Sequence, residues 1–276
     1  MKHTRIITAL FVAALGVTAM SSCKLTNHRS MEELMGFADR EGNITINDSI
    51  HADRYTMGGA SFDGQKVEEI EIEWCHDSVQ LLAYDGTAVV ISETADTQLN
   101  DLTTMYHYLT ADGELKIAFG KPGTKIKYPG VPNKRLLVMV PRSLGLDKVE
   151  VNGLDHALRM DNVACERVEL NSVTSNVVLN ECKIEELEVN GIHTDLESTF
   201  GQMPGRIEMN SVSGNTKLYV PEDAGMEVEM NGMNQSFDCE LPVGSKGGKK
   251  VVGNGACKIE CNGVSSSLRI AARKQQ

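Results

Sequence analysis

The chain has 276 residues, 41% of them hydrophobic but only 5% aromatic, and a formal net charge of −11. That length can bury a sizeable core, and the acidity excludes nucleic acid as a partner and any direct electrostatic grip on anionic lipid. Few aromatics beside frequent Gly and Asn favour many short strands and turns over a helical bundle.

In chain order, the first element is not part of a fold. "MKHTR" is a short basic region, and "IITALFVAALGVTA" is an apolar run too short to span a bilayer comfortably. "MSSC" follows, so residues 1–22 resemble a lipoprotein-type signal peptide cut before Cys23, whose thiol would carry the lipid. Met20 stands where such signals usually place Leu. The expectation is an exported chain, tethered to the membrane through its N-terminus and located in the cell envelope. Residues 23–60 are polar without a sustained period and read as a flexible tether. Residues 61–272 are expected to form one β-solenoid domain.

That domain opens irregularly. "IEIEWCHDSVQL" (70–81), "TAVVISE", "ELKIAFG" and "RLLVMVP" read as strands, while 94–112 reads as a loop or short excursion. From about residue 148 a regular repeat begins. Asn152, Asn171, Asn190, Asn210, Asn231 and Asn262 recur at spacings of 19, 19, 20, 21 and 31 residues. A period near 20 is the signature of stacked coils.

With the Asn as position 0, positions −3, −1, +2, +6 and +8 are mostly aliphatic. The −3 column, for example, reads Val149, Val168, Leu187, Ile207, Val228 and Ile259. Apolar residues at −3 and −1 alternate with polar ones, as in a half-buried strand. The inward parity then slips by one, which no continuous strand permits, so the Asn-Gly or Asn-Ser pair marks a corner or bulge. Positions +3 to +5 are predicted to turn again before a short strand at +6 to +8. Stacked at about 4.8 Å per rung, the asparagines would lie over one another and exchange amide hydrogen bonds. The 70–81 stretch fits the same frame with Glu73 in place of Asn, and the last, longer interval holds "GSKGGKKVVGNG", a predicted protruding hairpin.

These strands in this order, with "VELNSVTSNVVL" and "IEMNSVSGNTKL", resemble a bacterial putative-adhesin family related to head-domain, autotransporter-type adhesins. The resemblance covers about residues 61–272. It implies a right-handed single-stranded β-helix, exported or membrane-tethered. Where that family's turn reads Ser-Gly-Asp, this chain has "TSN" at 174–176 and "SGN" at 213–215. The fold class expected is therefore all-β: a right-handed β-helix or β-solenoid with rungs of about 20 residues and irregular N-terminal rungs.

The sequence shows no nucleophile elbow, zincin helix, phosphate loop or dinucleotide fingerprint. His156 and His193 lie two rungs apart, too far to share a metal, and are expected as solvated turn residues. Cys75, Cys239 and Cys261 fall in core columns, and Cys165 and Cys182 lie in neighbouring connections within possible disulfide reach. No metal, cofactor or catalytic residue is assigned.

The most distinctive surface feature is a column of glutamates at −2: Glu150, Glu169, Glu188, Glu208, Glu229 and Glu260. At rung spacing each like-charged pair costs ~0.9 kcal/mol in water before screening. The −4 column, Lys148, Arg167, Glu186, Arg206, Glu227 and Lys258, offers diagonal partners. This strip reads as a solvated paired face, with binding of a divalent cation or a basic partner as the functional alternative. The leading function is a non-enzymatic envelope lipoprotein presenting a solenoid surface for adhesion or for protein or glycan interaction. A periplasmic structural or regulatory component and a carbohydrate-active β-helix enzyme are the alternatives. Exposed end rungs would allow homo-oligomers by end-to-end stacking.

Overall fold

The computed structural model describes residues 43–46, 49–127 and 130–273. The signal segment 1–22, Cys23 and the residues up to 42 lie outside these ranges. Ten strands precede the regular repeat: β1 (Asn43–Thr45), β2 (Thr56–Met57), β3 (Ala60–Asp63), β4 (Glu69–Glu73), β5 (His76–Tyr84), β6 (Ala88–Ala95), β7 (Tyr106–Leu109), β8 (Glu114–Ala118), β9 (Lys125–Lys127) and β10 (Lys134–Pro141). The repeat then supplies long bent strands, β11 (Gly145–Asp161), β12 (Ala164–Asn180), β13 (Lys183–Thr199), β14 (Arg206–Val220) and β15 (Met226–Cys239). A hairpin of β16 (Val243–Lys246) and β17 (Lys249–Val252) leads into the last long strand, β18 (Cys257–Ala272).

The result is an all-β solenoid. Each long strand is one rung, bent into a first arm before the Asn and a second arm after it. Rungs stack in parallel and in register, so Asn152 faces Asn171, Asn171 faces Asn190 and Asn190 faces Asn210. The interrupted pair β4 and β5 forms the rung beneath β11, with Ile70 and Ile72 against Val149 and Val151, and Val79 and Leu81 against Leu158 and Met160. Beyond it the two arms separate. The first continues through β8, β7 and β2, the second through β10, β6 and β3, with antiparallel pairings at the outer ends.

Three expectations are corrected. The first concerns the corner. The ladder of pairs skips Leu154, Val173, Ile192 and Val212 at +2, and the second arm resumes at +3. Positions +3 to +5 are therefore strand, not turn. Burial at +2 is uneven: Ile192 is 9% exposed and Leu154 packs against the core, whereas Met233 in the end rung is 78% exposed; the +4 residues His156, Ser175 and Thr194 are buried as well. The tightness of the corner explains the glycines at +1 in these rungs. A Cβ on Gly153 would lie 2.2 Å from the Trp74 carbonyl oxygen, and one on Gly263 would lie 2.1 Å from that of Ser211.

The second correction is the order of the rungs. β14 pairs with β18, and β18 with β15. The chain skips one layer after Val220, runs β15 in the layer beyond, turns through the hairpin, and inserts its last strand into the gap. β15 and β18 carry the same frame, so the insertion keeps register: Asn262 faces both Asn210 and Asn231.

The third concerns the tether. Residues 43–46 and 49–60 belong to the folded body. β1 pairs with β9 in register Ile44 to Ile126, and Ile44 and Ile46 are buried. The alternation Ile-Thr-Ile is a minimal strand pattern inside an otherwise polar stretch.

The core fills the space between the arms. The −3, −1, +6 and +8 columns supply Val168, Leu170, Val177 and Leu179 in one rung and Leu187, Val189 and Leu196 in the next, all at most 1% exposed. At the N-terminal end the core is closed by Trp74 and Phe119, packed edge to face with ring centroids 5.0 Å apart. The fully buried Lys134 lies over both rings, 4.7 and 4.2 Å from their centroids. Its ammonium donates to Glu93 Oε2 at 2.7 Å and to the carbonyls of Thr103 and Phe119. All three N–H groups thus have acceptors, which a buried ammonium requires.

Candidate functional site

Two surfaces carry organised polar chemistry. The first is the ladder at the corner. Asn171 Nδ2 donates to Asn152 Oδ1 at 3.0 Å, and Asn190 and Asn210 repeat the contact to the rung before, each at 2.9 Å. Asn262 donates to Asn210 at 2.9 Å and Asn231 to Asn262 at 3.0 Å, following the spatial and not the sequential order. The second hydrogen of the amide turns to the glutamate two residues earlier: Asn171 to Glu169 Oε1 at 3.1 Å, Asn190 to Glu188 at 3.0 Å, Asn210 to Glu208 at 3.1 Å. Asn152 does the same with Glu150 at 2.7 Å, and Asn231 with Glu229 at 3.3 Å.

The glutamate column is therefore not a bare acidic strip. Its other oxygens meet cations. Lys148 Nζ lies 2.6 Å from Glu150 and 3.0 Å from Glu169. Arg167 lies 2.9 Å from Glu188 on the next rung, and Arg206 spans Glu208 at 2.6 Å and Glu260 at 3.5 Å. Lys249, from the hairpin, lies 3.1 Å from Glu229. Burial alone would pull the Lys148 ammonium down; its hydrogen bonds to Glu150 and Glu169 push it above the ordinary lysine value. Glu169 and Glu188 are 5% and 7% exposed. One oxygen on an amide and one on a cation leave these two carboxylates built into the wall, not offered to a divalent ion. Among the described residues no group of three or more His, Cys, Asp or Glu is arranged to hold a metal.

The second surface lies on the outer face of the second arm. A groove of about 760 Å³ runs over the ends of β12, β13, β14, β18 and β15, where Tyr219, Lys217, Arg269, Arg273, Glu181 and Glu240 converge. Arg273 pairs with Glu181 at 2.8 Å, Arg269 with Glu240 at 3.1 Å, and Lys217 stands 3.9 Å from Glu197. These pairs are half exposed, so each contributes at most ~1 kcal/mol and readily exchanges partners. Sequence reasoning singled out none of these residues. Arg273 reaches Glu181 only because β18 is inserted next to β14, which the order of repeats along the chain conceals.

The remaining candidates separate. His193 is exposed, with Ser213 Oγ 3.0 Å from its Nδ1. His156 is not the solvated turn residue expected: it is 4% exposed, with Nδ1 3.4 Å from Ser172 Oγ, and burial pulls its imidazole down to about 4. Cys165 and Cys182 are separate buried thiols, and burial pushes them up to about 12 and about 11. Cys75 and Cys261 are buried, and Cys239 is partly buried.

Asn190→Ala removes a donor from Glu188 and Asn171 and an acceptor from Asn210, so it should cost about 3 kcal/mol in urea unfolding. Asn231→Ala, at the exposed end of the ladder, should cost only ~0.5 kcal/mol. His156 titrates near 6.5 when unfolded and near 4 when folded, so the unfolded chain binds more protons between these values. The contribution is complete above pH 6.5 and is lost as pH falls towards 4, on the order of 3 kcal/mol in all. Melting curves across that window should fall for the native chain and flatten for His156→Ser.

Solved structures match the chain at low identity. A crystal structure titled "putative cell adhesion protein" from Clostridium sporogenes ATCC 15579 is 7% identical, with a TM-score of 0.46 over 79% of this chain and 100% of that one. A "putative adhesin" from Bacteroides fragilis NCTC 9343 is 11% identical, with a TM-score of 0.42 over 78% and 97%. Another from Parabacteroides distasonis ATCC 8503 is 12% identical, with a TM-score of 0.35 over 78% and 96%. No curated protein matches the sequence. The family model described as Toastrack DUF4097 matches residues 17–260, and the chain belongs to that family.

Proposed function

We propose that the protein is an exported, lipid-anchored envelope protein that presents its solenoid as a non-catalytic recognition surface, with the second-arm groove as the contact for a protein or glycan. The observation that carries this reading is the groove itself. It places an aromatic ring, cations and carboxylates side by side on paired strands, and weak surface ion pairs can be traded for contacts with a polar ligand. The pairing of β12, β13, β14, β18 and β15 fixes the backbone that carries those groups, which limits the ordering cost on binding.

The chemistry elsewhere favours recognition over catalysis. The arrangement closest to a nucleophile and base, Ser172 beside His156, is sealed in the core, with Ser172 0% exposed. The glutamate column is held by amides and cations. Export and anchoring rest on the basic and apolar segment ahead of Cys23.

Protease shaving of whole cells is the test. The domain should be lost from intact cells, and a Tyr219→Ala, Arg269→Ala double variant should weaken adherence without lowering the amount at the surface. A domain that survives shaving until the envelope is opened would contradict surface display and favour the periplasmic structural or regulatory reading.

A further inference from the structure

The two ends of the stack differ. At the N-terminal end the core is closed by Trp74, Phe119 and Lys134, and the outermost strands, β2 and β3, are only two and four residues long. Short antiparallel edges of this kind resist further pairing. At the other end β15 is the last full rung. The hairpin strand β17 covers only Met226–Val228 of it, and among the described residues no strand pairs with the far edge of Asn234–Cys239. The core columns stop there unfinished. Phe237 and Cys239 are partly buried, whereas Leu268 and Ile270 one rung inward are 1% and 0% exposed. Met233, at the corner of the same rung, is 78% exposed.

An open backbone edge over an unfinished apolar core needs a strand that brings apolar residues at the same spacing. We propose that the occupant is a second copy: Gln235–Cys239 pairs antiparallel with the same segment of another chain about a two-fold axis at Phe237. The edge is self-complementary for this pairing. Residues 230–237 carry no charge, and the axis sets Phe237 against Phe237, Gln235 against Cys239 and Ser236 against Asp238. No like charges meet. Both partly buried core residues gain cover from the facing copy, and Lys250, 4.2 Å from the Phe237 ring centroid, lies at the rim of the seam. Because the two-fold axis uses the same edge on both copies, the contact is isologous and stops at two copies instead of growing into a fibre.

This geometry also orients the pair. β15 lies seven strand spacings from β8, roughly 34 Å, and β1 pairs with β9 just after β8. The β1 strands of the two copies therefore lie at opposite ends of the dimer.

The test is sedimentation of the mature chain, residues 24–276, over a range of concentrations. A reversible monomer–dimer equilibrium is expected. Phe237→Asp, which places two carboxylates on the axis, should leave only monomer with a near-native melting curve. Phe237→Cys should form an intermolecular disulfide under mild oxidation, because facing residues of an antiparallel pair lie within disulfide reach. Met57→Cys, exposed at the closed end, should not. A monomer at every concentration, or a dimer that persists in Phe237→Asp and cross-links through Met57→Cys, overturns the proposal. A dimer sensitive to Phe237→Asp in a protein that shaving spares would keep the interface and refute the surface reading.

Discussion

Everything in the repeat follows from how an asparagine amide is satisfied when it is stacked on copies of itself. Each amide has two N–H donors, and the neighbour above or below takes only one of them. The leftover hydrogen needs an acceptor in its own rung, and the glutamate two residues earlier, on the same face of the strand, provides it. That carboxylate then needs a counter-charge, which Lys148, Arg167 and Arg206 at −4 provide on the same face. The phrase Glu-apolar-Asn, preceded by a basic residue, is thus a single polar unit. It allows a sharp corner to be partly buried with both hydrogens of the inner amides satisfied, although Arg167 Nε beside it is left buried without a partner. All five amide contacts point the same way along the stack, an arrangement in which each bond polarises the next.

The out-of-order rung is a consequence of that uniformity. Since β15 and β18 present the same frame, the slot beside β14 accepts either strand, and the chain places the later one there. A ladder with interchangeable rungs fixes the lateral register strictly and the vertical order only through the connections. The connection from Val220 to Met226 bridges two layers, and the hairpin brings the chain back. The last strand buries Ile259, Cys261, Leu268 and Ile270 between two existing rungs, so it completes the core instead of extending it.

Much of this was legible in the sequence, and the failures have physical reasons. The period located the corner and the stack, because a buried column tolerates few residue types. The course of the corner was misjudged: the polar +3 to +5 stretch looks like a turn, but it is strand, and it carries His156, Ser175 and Thr194 at +4 into the interior. Hydrophobicity alone does not reveal buried polar residues of that kind. Lys134 could have been found, since it shares inward parity with Leu136, Val138 and Val140, and a lysine on that face signals a buried pair. The groove could not, because its residues converge only through the inserted strand. The buried isoleucines of β1 were hidden by their polar surroundings.

The account stands or falls on the amide ladder being a closed, buried chain of hydrogen bonds. The most direct measurement is hydrogen exchange of the asparagine side-chain amides by NMR. The account predicts strong protection at Asn171 and Asn190, weaker protection at Asn210 and Asn262, and near-solvent rates at Asn231. Uniformly fast exchange at all six, in a chain whose backbone amides are protected, would contradict it.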